Sequence, residues 1–207
     1  MRKALTLALS LALTAFTIVP VAADDLKLIG PGDRLHGADV SRWQHPNDKP
    51  INFKKMHAAG LSFVMIKASD TRYDADRLAL KYVKMDRNAA QAAGVYTGFY
   101  HFAILPNVST PAAITKDARA QVQKVIWRLS DLGGYNDKDL PYALDLETRC
   151  IQWSSSGACV KNATRSAATL WAKTFLKTLK EKTGRTPILY SSQIGRASCR
   201  ERVSSPV

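Results

Sequence analysis

Short apolar runs alternate with longer helical patterns along most of this chain, and that alternation narrows its possible folds more than any other feature. Strand-like segments occupy 35–40, 62–67, 95–103, 141–146 and 187–190. Between them, apolar spacing predicts helices over 52–59, 74–93, 111–132 and 162–183. Gly60, Gly94 and Gly184 each stand just past a helical pattern, where a left-handed terminating residue belongs. Strand–helix–strand order requires right-handed crossovers and a parallel sheet. An open doubly wound sheet fits the count, but no glycine-rich phosphate loop follows the first strand. A parallel barrel needs about 250 residues, so five strands with four crossovers stop before such a sheet closes. No internal repeat or low-complexity linker interrupts the pattern.

The two ends read differently from the middle. Arg2 and Lys3 precede an almost wholly apolar run from Ala4 to Val19, then Pro20 and the small residues Ala22 and Ala23. This is the pattern of an export signal over 1–23, too short and too early broken for a membrane anchor. A secreted protein with no membrane attachment after cleavage is expected. Residues 24–193 are long enough for one domain with a sizeable core. The segment from Ile194 to Val203 has neither helical nor strand period and resembles the translation of a sequencing-library adapter. Residues 194–207 are therefore read as a non-native tail.

The formal net charge is +13. Most of it belongs to the central segment and suits a polyanionic partner such as a bacterial wall and its anionic polymers. Nucleic acid has only this charge in its favour and is not expected as a partner. Lys173, Lys177, Lys180 and Lys182 lie on one predicted helix, as a solvated face or as a binding patch. Cys150 and Cys159 bracket a short polar loop, and export favours a disulfide between them. A zinc pair is the rival, but no further Cys or His joins them at ligand spacing. Cys199 lies in the tail and carries no inference.

The sharpest chemical signal is Asp145 and Glu147 at the end of an apolar strand. Side chains two residues apart in a strand share a face. Both carboxylates therefore project from the C-terminal end of a parallel strand, where barrel enzymes place their sites. Two close carboxylates do not both ionise cheaply, so one proton is retained near neutral pH, as protonation of a glycosidic oxygen requires. Asp39 and Trp43 follow the first strand, Lys67 ends the second, Tyr100 and His101 lie near the end of the third, and Tyr190 ends the fifth. Aromatic rings beside carboxylates suit a sugar, which offers C–H faces for stacking and hydroxyls for hydrogen bonds. Taken singly, Trp43, Phe99 and Phe102 suit the core, Lys67 a structural role, and His101 a satisfied buried histidine.

The combination of Gly37-x-Asp39-Val-Ser-x-Trp43-Gln44, Phe63-Val-Met-Ile-Lys67-Ala68, Tyr100-His-Phe102, Leu144-Asp-x-Glu147 and Pro187-Ile-Leu-Tyr-Ser191 resembles glycoside hydrolase family 25, the Chalaropsis-type lysozymes. The resemblance runs in order from about residue 35 to 192 and is far more specific than any one motif. It implies an α/β fold, a modified TIM-like barrel whose five βα-type strands are present here and whose closing strands are missing. It implies a muramidase that cleaves the β-1,4 bond between N-acetylmuramic acid and N-acetylglucosamine in peptidoglycan with retention. On this resemblance Glu147 is the general acid/base, and Asp145 stabilises the cationic intermediate, an oxazolinium formed by the substrate's acetamido group, or acts as nucleophile. Asp39 and Tyr100 line the centre, with Lys67, Trp43 and Tyr190 in support. No cofactor or metal is implied, and a monomer is expected.

Two other functions compete. A family 18-type chitinase requires a longer acidic run, but Pro141, Tyr142 and Ala143 occupy its upstream positions. A non-catalytic wall-glycan-binding protein lacks a reason to keep the Asp145/Glu147 pair. The family continues with three closing strands, a Trp-Gln segment and a further active-site aspartate, none of which follows Gln193 here. Residues 24–207 alone are therefore expected to form no stable, active enzyme, because the outer strands keep unpaired backbone groups. A monodisperse monomer with a sharp thermal transition and wall-lytic activity would overturn that expectation.

Overall fold

The computed structural model describes residues 34–191; the leader-like segment 1–23 and the tail 194–207, with Cys199, lie outside the described residues. The order is β1 (His36–Val40), α1 (Phe53–Ala58), β2 (Leu61–Asp70), α2 (Tyr73–Ala92), β3 (Tyr96–Phe102), α3 (Pro111–Asp131), β4 (Ala143–Asp145), β5 (Cys150–Trp153), β6 (Cys159–Asn162), α4 (Arg165–Thr183) and β7 (Ile188–Tyr190). Strands β1, β2, β3, β4 and β7 pair in that order, all parallel, as a curled half-barrel. Among the described residues β1 and β7 are the two edges of this sheet.

Alternation within each strand gives the sheet two unlike faces. On the outer face, Val64, Ile66 and Ala68 of β2, Phe99 of β3 and Leu144 of β4 are buried in one core. The helices cover this face with Val83 and Ala90 of α2, Val122 and Val125 of α3, and Trp171 and Phe175 of α4. On the inner face Phe63, Met65 and Lys67 are only half-buried. Two glycines let bulky side chains lie across that inner face. Any side chain at Gly37 would collide with the Phe63 ring, and one at Gly98 with the Met65 thioether.

Capping sets the helix limits. The Thr110 hydroxyl accepts from the Ala113 N–H at 3.2 Å, with Pro111 in the first turn of α3. Thr164 accepts from the Ala167 N–H at 3.1 Å, so α4 starts at Arg165 and not at Asn162. Gly184, with φ 70°, closes α4 in the left-handed region. Lys173, Lys177, Lys180 and Lys182 are all exposed on α4.

The sequence reading also differs from the structure in the length of β2 and in the loop after Glu147. Strand β2 runs on to Asp70, because Ser69 and Asp70 pair with His101 and Phe102 of β3. The polar loop after Glu147 is an antiparallel hairpin of β5 and β6, tied by a Cys150–Cys159 disulfide with 5.7 Å between the Cα atoms. Its strands are too short and polar for periodicity to reveal them. Closing a loop of this length removes about 2.5 kcal/mol of unfolded-state entropy. Replacing both cysteines by alanine in the full-length protein is expected to lower stability by about that amount in denaturant melts. An unchanged midpoint, or two free thiols by mass spectrometry without reductant, would refute the bond's role.

Candidate active site

The C-terminal ends of the parallel strands meet at an open cleft of about 310 Å³ on the inner face. Its lining includes Asp39 of β1, Tyr100 of β3, Asp145 of β4 with Glu147 just beyond, and Tyr190 of β7. Register explains the convergence: Lys67 lies beside Tyr100, Phe102 beside Asp145, and Asp145 beside Tyr190. Strand β4 is held on both sides at its end. The Ala103 N–H donates to the Asp145 carbonyl at 2.8 Å, and the Leu146 N–H donates to the Tyr190 carbonyl at 3.0 Å. The Ser191 hydroxyl adds a bond to the Leu146 carbonyl at 2.9 Å. Three residues of strand suffice to aim the pair because their backbone is fixed from both edges.

The two carboxyl groups occupy different environments. Asp145 is 7% exposed, and its Oδ1 has no hydrogen-bond partner among the described residues. Glu147 is exposed to the cleft. Burial first, and the Glu147 charge second, push the Asp145 carboxyl up to about 7, against the pull of Lys67. Asp145 is thus held reluctant to ionise near neutral pH, beside a second carboxyl group. Burial also raises the Tyr100 hydroxyl, and the charges of Asp39 and Asp145 add to this. Tyr100 is thus a neutral hydrogen-bond donor in the cleft.

Other residues singled out in the sequence fall outside the cleft. Lys67 Nζ lies 2.6 Å from a carboxylate oxygen of buried Asp70 and 4.6 Å from the centre of the Phe102 ring. It acts on Asp145 through its field. Trp43 lies beyond Asp39 in a 3-10 turn capped by Ser41 and opens on a neighbouring depression. His101 faces the helices, where burial pushes its imidazole down to about 3. It is bonded to the Ser69 hydroxyl at 2.9 Å and stacked on Phe175. Phe63 and Met65 line the cleft, a role hidden in the sequence because both fit an ordinary apolar strand.

The sequence model of glycosyl hydrolases family 25 matches residues 38–199. The chain is 31% identical over 176 residues to lysozyme M1 of Streptomyces globisporus, covering 83% of this chain and 51% of that protein. It is 30% identical over 170 residues to an N,O-diacetylmuramidase of Chalaropsis, covering 80% of this chain and 69% of the relative. A solved muramidase from Acremonium alcalophilum superposes with a TM-score of 0.55 at 30% identity, covering 80% and 69% of the two chains. The chain spans about half the length of lysozyme M1.

The raised Asp145 carboxyl makes stability depend on pH. An unfolded aspartate ionises near 3.8 and the folded one near 7. The folded state therefore binds the extra proton, and stability falls as pH rises from about 4 through 7. Asp145→Asn in the full-length protein is expected to raise the thermal midpoint at pH 8 and to leave it nearly unchanged at pH 4. Each 1 kcal/mol gained is worth about 2–4 °C in a domain of this size. An equal gain at both pH values would separate the effect from ionisation.

Proposed function

Because this chain belongs to glycosyl hydrolase family 25, we propose that it is a lysozyme cleaving the β-1,4 bond between N-acetylmuramic acid and N-acetylglucosamine in peptidoglycan, with retention of configuration. The observation that carries this reading is the unequal pair Asp145 and Glu147 at the end of β4, in an open cleft with Asp39, Tyr100 and Tyr190. One carboxyl is buried and raised, the other is exposed to where a sugar lies. That division suits glycoside hydrolysis, which needs a proton for the leaving oxygen and negative charge beside the developing cation.

The roles divide as follows. Glu147 delivers the proton to the glycosidic oxygen. Asp145, as a carboxylate, steadies the positive charge as the substrate's own acetamido oxygen closes on the anomeric carbon to give an oxazolinium. Glu147, now a carboxylate, takes a proton from the water that opens that ring on the same face. Two inversions give net retention. Asp39 adds negative potential, and the Tyr100 hydroxyl donates to a sugar oxygen. Tyr190 offers a ring at the opposite wall. The leader-like segment 1–23 and the Cys150–Cys159 disulfide support export, since such bonds persist in oxidising compartments. Among the described residues no helix is long and apolar enough to cross a membrane. We take the exported chain to act as a monomer on peptidoglycan.

Glu147→Gln in the full-length protein is expected to reduce release of new reducing ends from purified peptidoglycan by at least 10²- to 10⁴-fold, the usual share of general acid–base catalysis. Its thermal transition should persist. The identity of the reducing sugar, muramic acid or glucosamine, tests the bond. Undiminished turnover would place the acid on another residue.

A further inference from the structure

Beside the catalytic cleft lies a second depression of about 470 Å³, between the turn after β1 and the start of α2. Arg42, Trp43, Lys67, Arg72, Tyr73 and Asp74 form much of its wall. Trp43 is 74% and Tyr73 75% exposed. Single exposed aromatics need no explanation, but two facing one concave surface offer stacking faces to a ligand. Trp43 is set in place: its N–H donates to the Ser41 hydroxyl at 3.4 Å, and the Arg42 guanidinium lies 3.8 Å from its ring centre.

The charge of this depression is opposite to that of its neighbour. Lys67 Nζ and the Nε and Nη2 of Arg72 all bind Asp70, at 2.6, 3.1 and 3.1 Å. Arg42, Lys67 and Arg72 together outnumber Asp70 and Asp74. The catalytic cleft is lined by Asp39, Asp145 and Glu147. The two adjoin, because Lys67, which lines the depression, pairs in the sheet beside Tyr100, which lines the cleft.

We propose that this depression is a subsite for the acidic appendages of the wall glycan, the carboxylates of its stem peptide. The proposal rests on reading the adjoining cleft as a peptidoglycan site. Guanidinium groups held by stacking or by a carboxylate fork bind a further carboxylate in a defined plane. Trp43 and Tyr73 cover the apolar faces of the same appendage. The anionic cleft repels those carboxylates while the cationic depression attracts them. That contrast orients the strand so that a muramyl unit, which bears the peptide, lies on the depression's side of the scissile bond.

Binding to the catalytically disabled Glu147→Gln full-length protein tests this without reliance on turnover. The probes are soluble glycan strands with intact stem peptides, and the same strands stripped of peptide by an amidase. Peptide-bearing strands are expected to bind about tenfold more tightly, the loss expected when one charged hydrogen bond is absent. Adding Arg42→Gln, or Tyr73→Ala as an independent variant, should remove most of that preference. Equal affinity for the two strands, or a preference untouched by both variants, would overturn the subsite alone. Binding of neither strand would overturn the peptidoglycan reading with it.

Discussion

A parallel strand shows one row of side chains to the helices that return it and the other row to the opposite side, and the rest of this structure follows from that division. The helices demand an apolar outer face, and Val64, Ile66, Phe99 and Leu144 supply it. The inner row is released from that packing duty among the described residues. It carries Asp39, Lys67, Tyr100 and Asp145, groups that an outer position would leave buried against a helix. A one-residue slip of register would bury these groups and expose the core. The hydrophobic energy of the outer face therefore also holds the polar constellation of the inner one in place.

Buried ion pairs lock the two ends of the sheet. At the end away from the cleft, Asp139 is bonded by Arg87, by the Thr97 hydroxyl at 2.6 Å and by the Asn136 N–H at 2.8 Å. Arg185 adds a bond to the Asp139 carbonyl at 2.5 Å, tying the α4–β7 connection to the same point. Near the cleft, Arg128 Nε donates to the Ala68 carbonyl at 2.6 Å, and Lys124 to the Asp70 carbonyl at 2.7 Å. Arg128 also meets Asp76 at 3.1 Å, so α2, α3 and the end of β2 share one network. Asp70 sits within it and anchors both Lys67 and Arg72. Losing one partner of such a buried pair costs about 3–5 kcal/mol, because the remaining charge is uncompensated. These networks set direction more than stability.

The cleft itself runs against stability. Asp145 is buried without a partner for one oxygen, beside a second carboxylate, with Asp39 adding to the repulsion. Such an arrangement is tolerated because β3 and β7 clamp β4 from both sides. A functional site that violates ordinary rules of burial is where stability and activity trade against one another.

Much of the fold was legible in the residues themselves. Apolar periodicity marked all five sheet strands and four helices, because a parallel α/β unit must alternate these patterns to bury its sheet. Asp145 and Glu147 both line the cleft, although β4 ends at Asp145 and strand alternation therefore does not place Glu147. Gly60, Gly94 and Gly184 marked helix ends because they take positive φ there. What the residues alone left open was decided by contacts between segments distant in sequence. The Asp145 carboxyl is raised mainly by burial, which neighbouring strands supply, with Glu147 and then Asp39 of β1 adding their charge. Trp43 turns to a separate depression because the turn after β1 meets the start of α2 only in three dimensions. The β5–β6 hairpin needed its disulfide and its backbone pairing, since strands of four residues each are too short to carry a periodic signal. Sequence alone determined which residues share a face; tertiary structure alone decided what each meets there, because burial and charge depend on neighbours that local pattern does not specify.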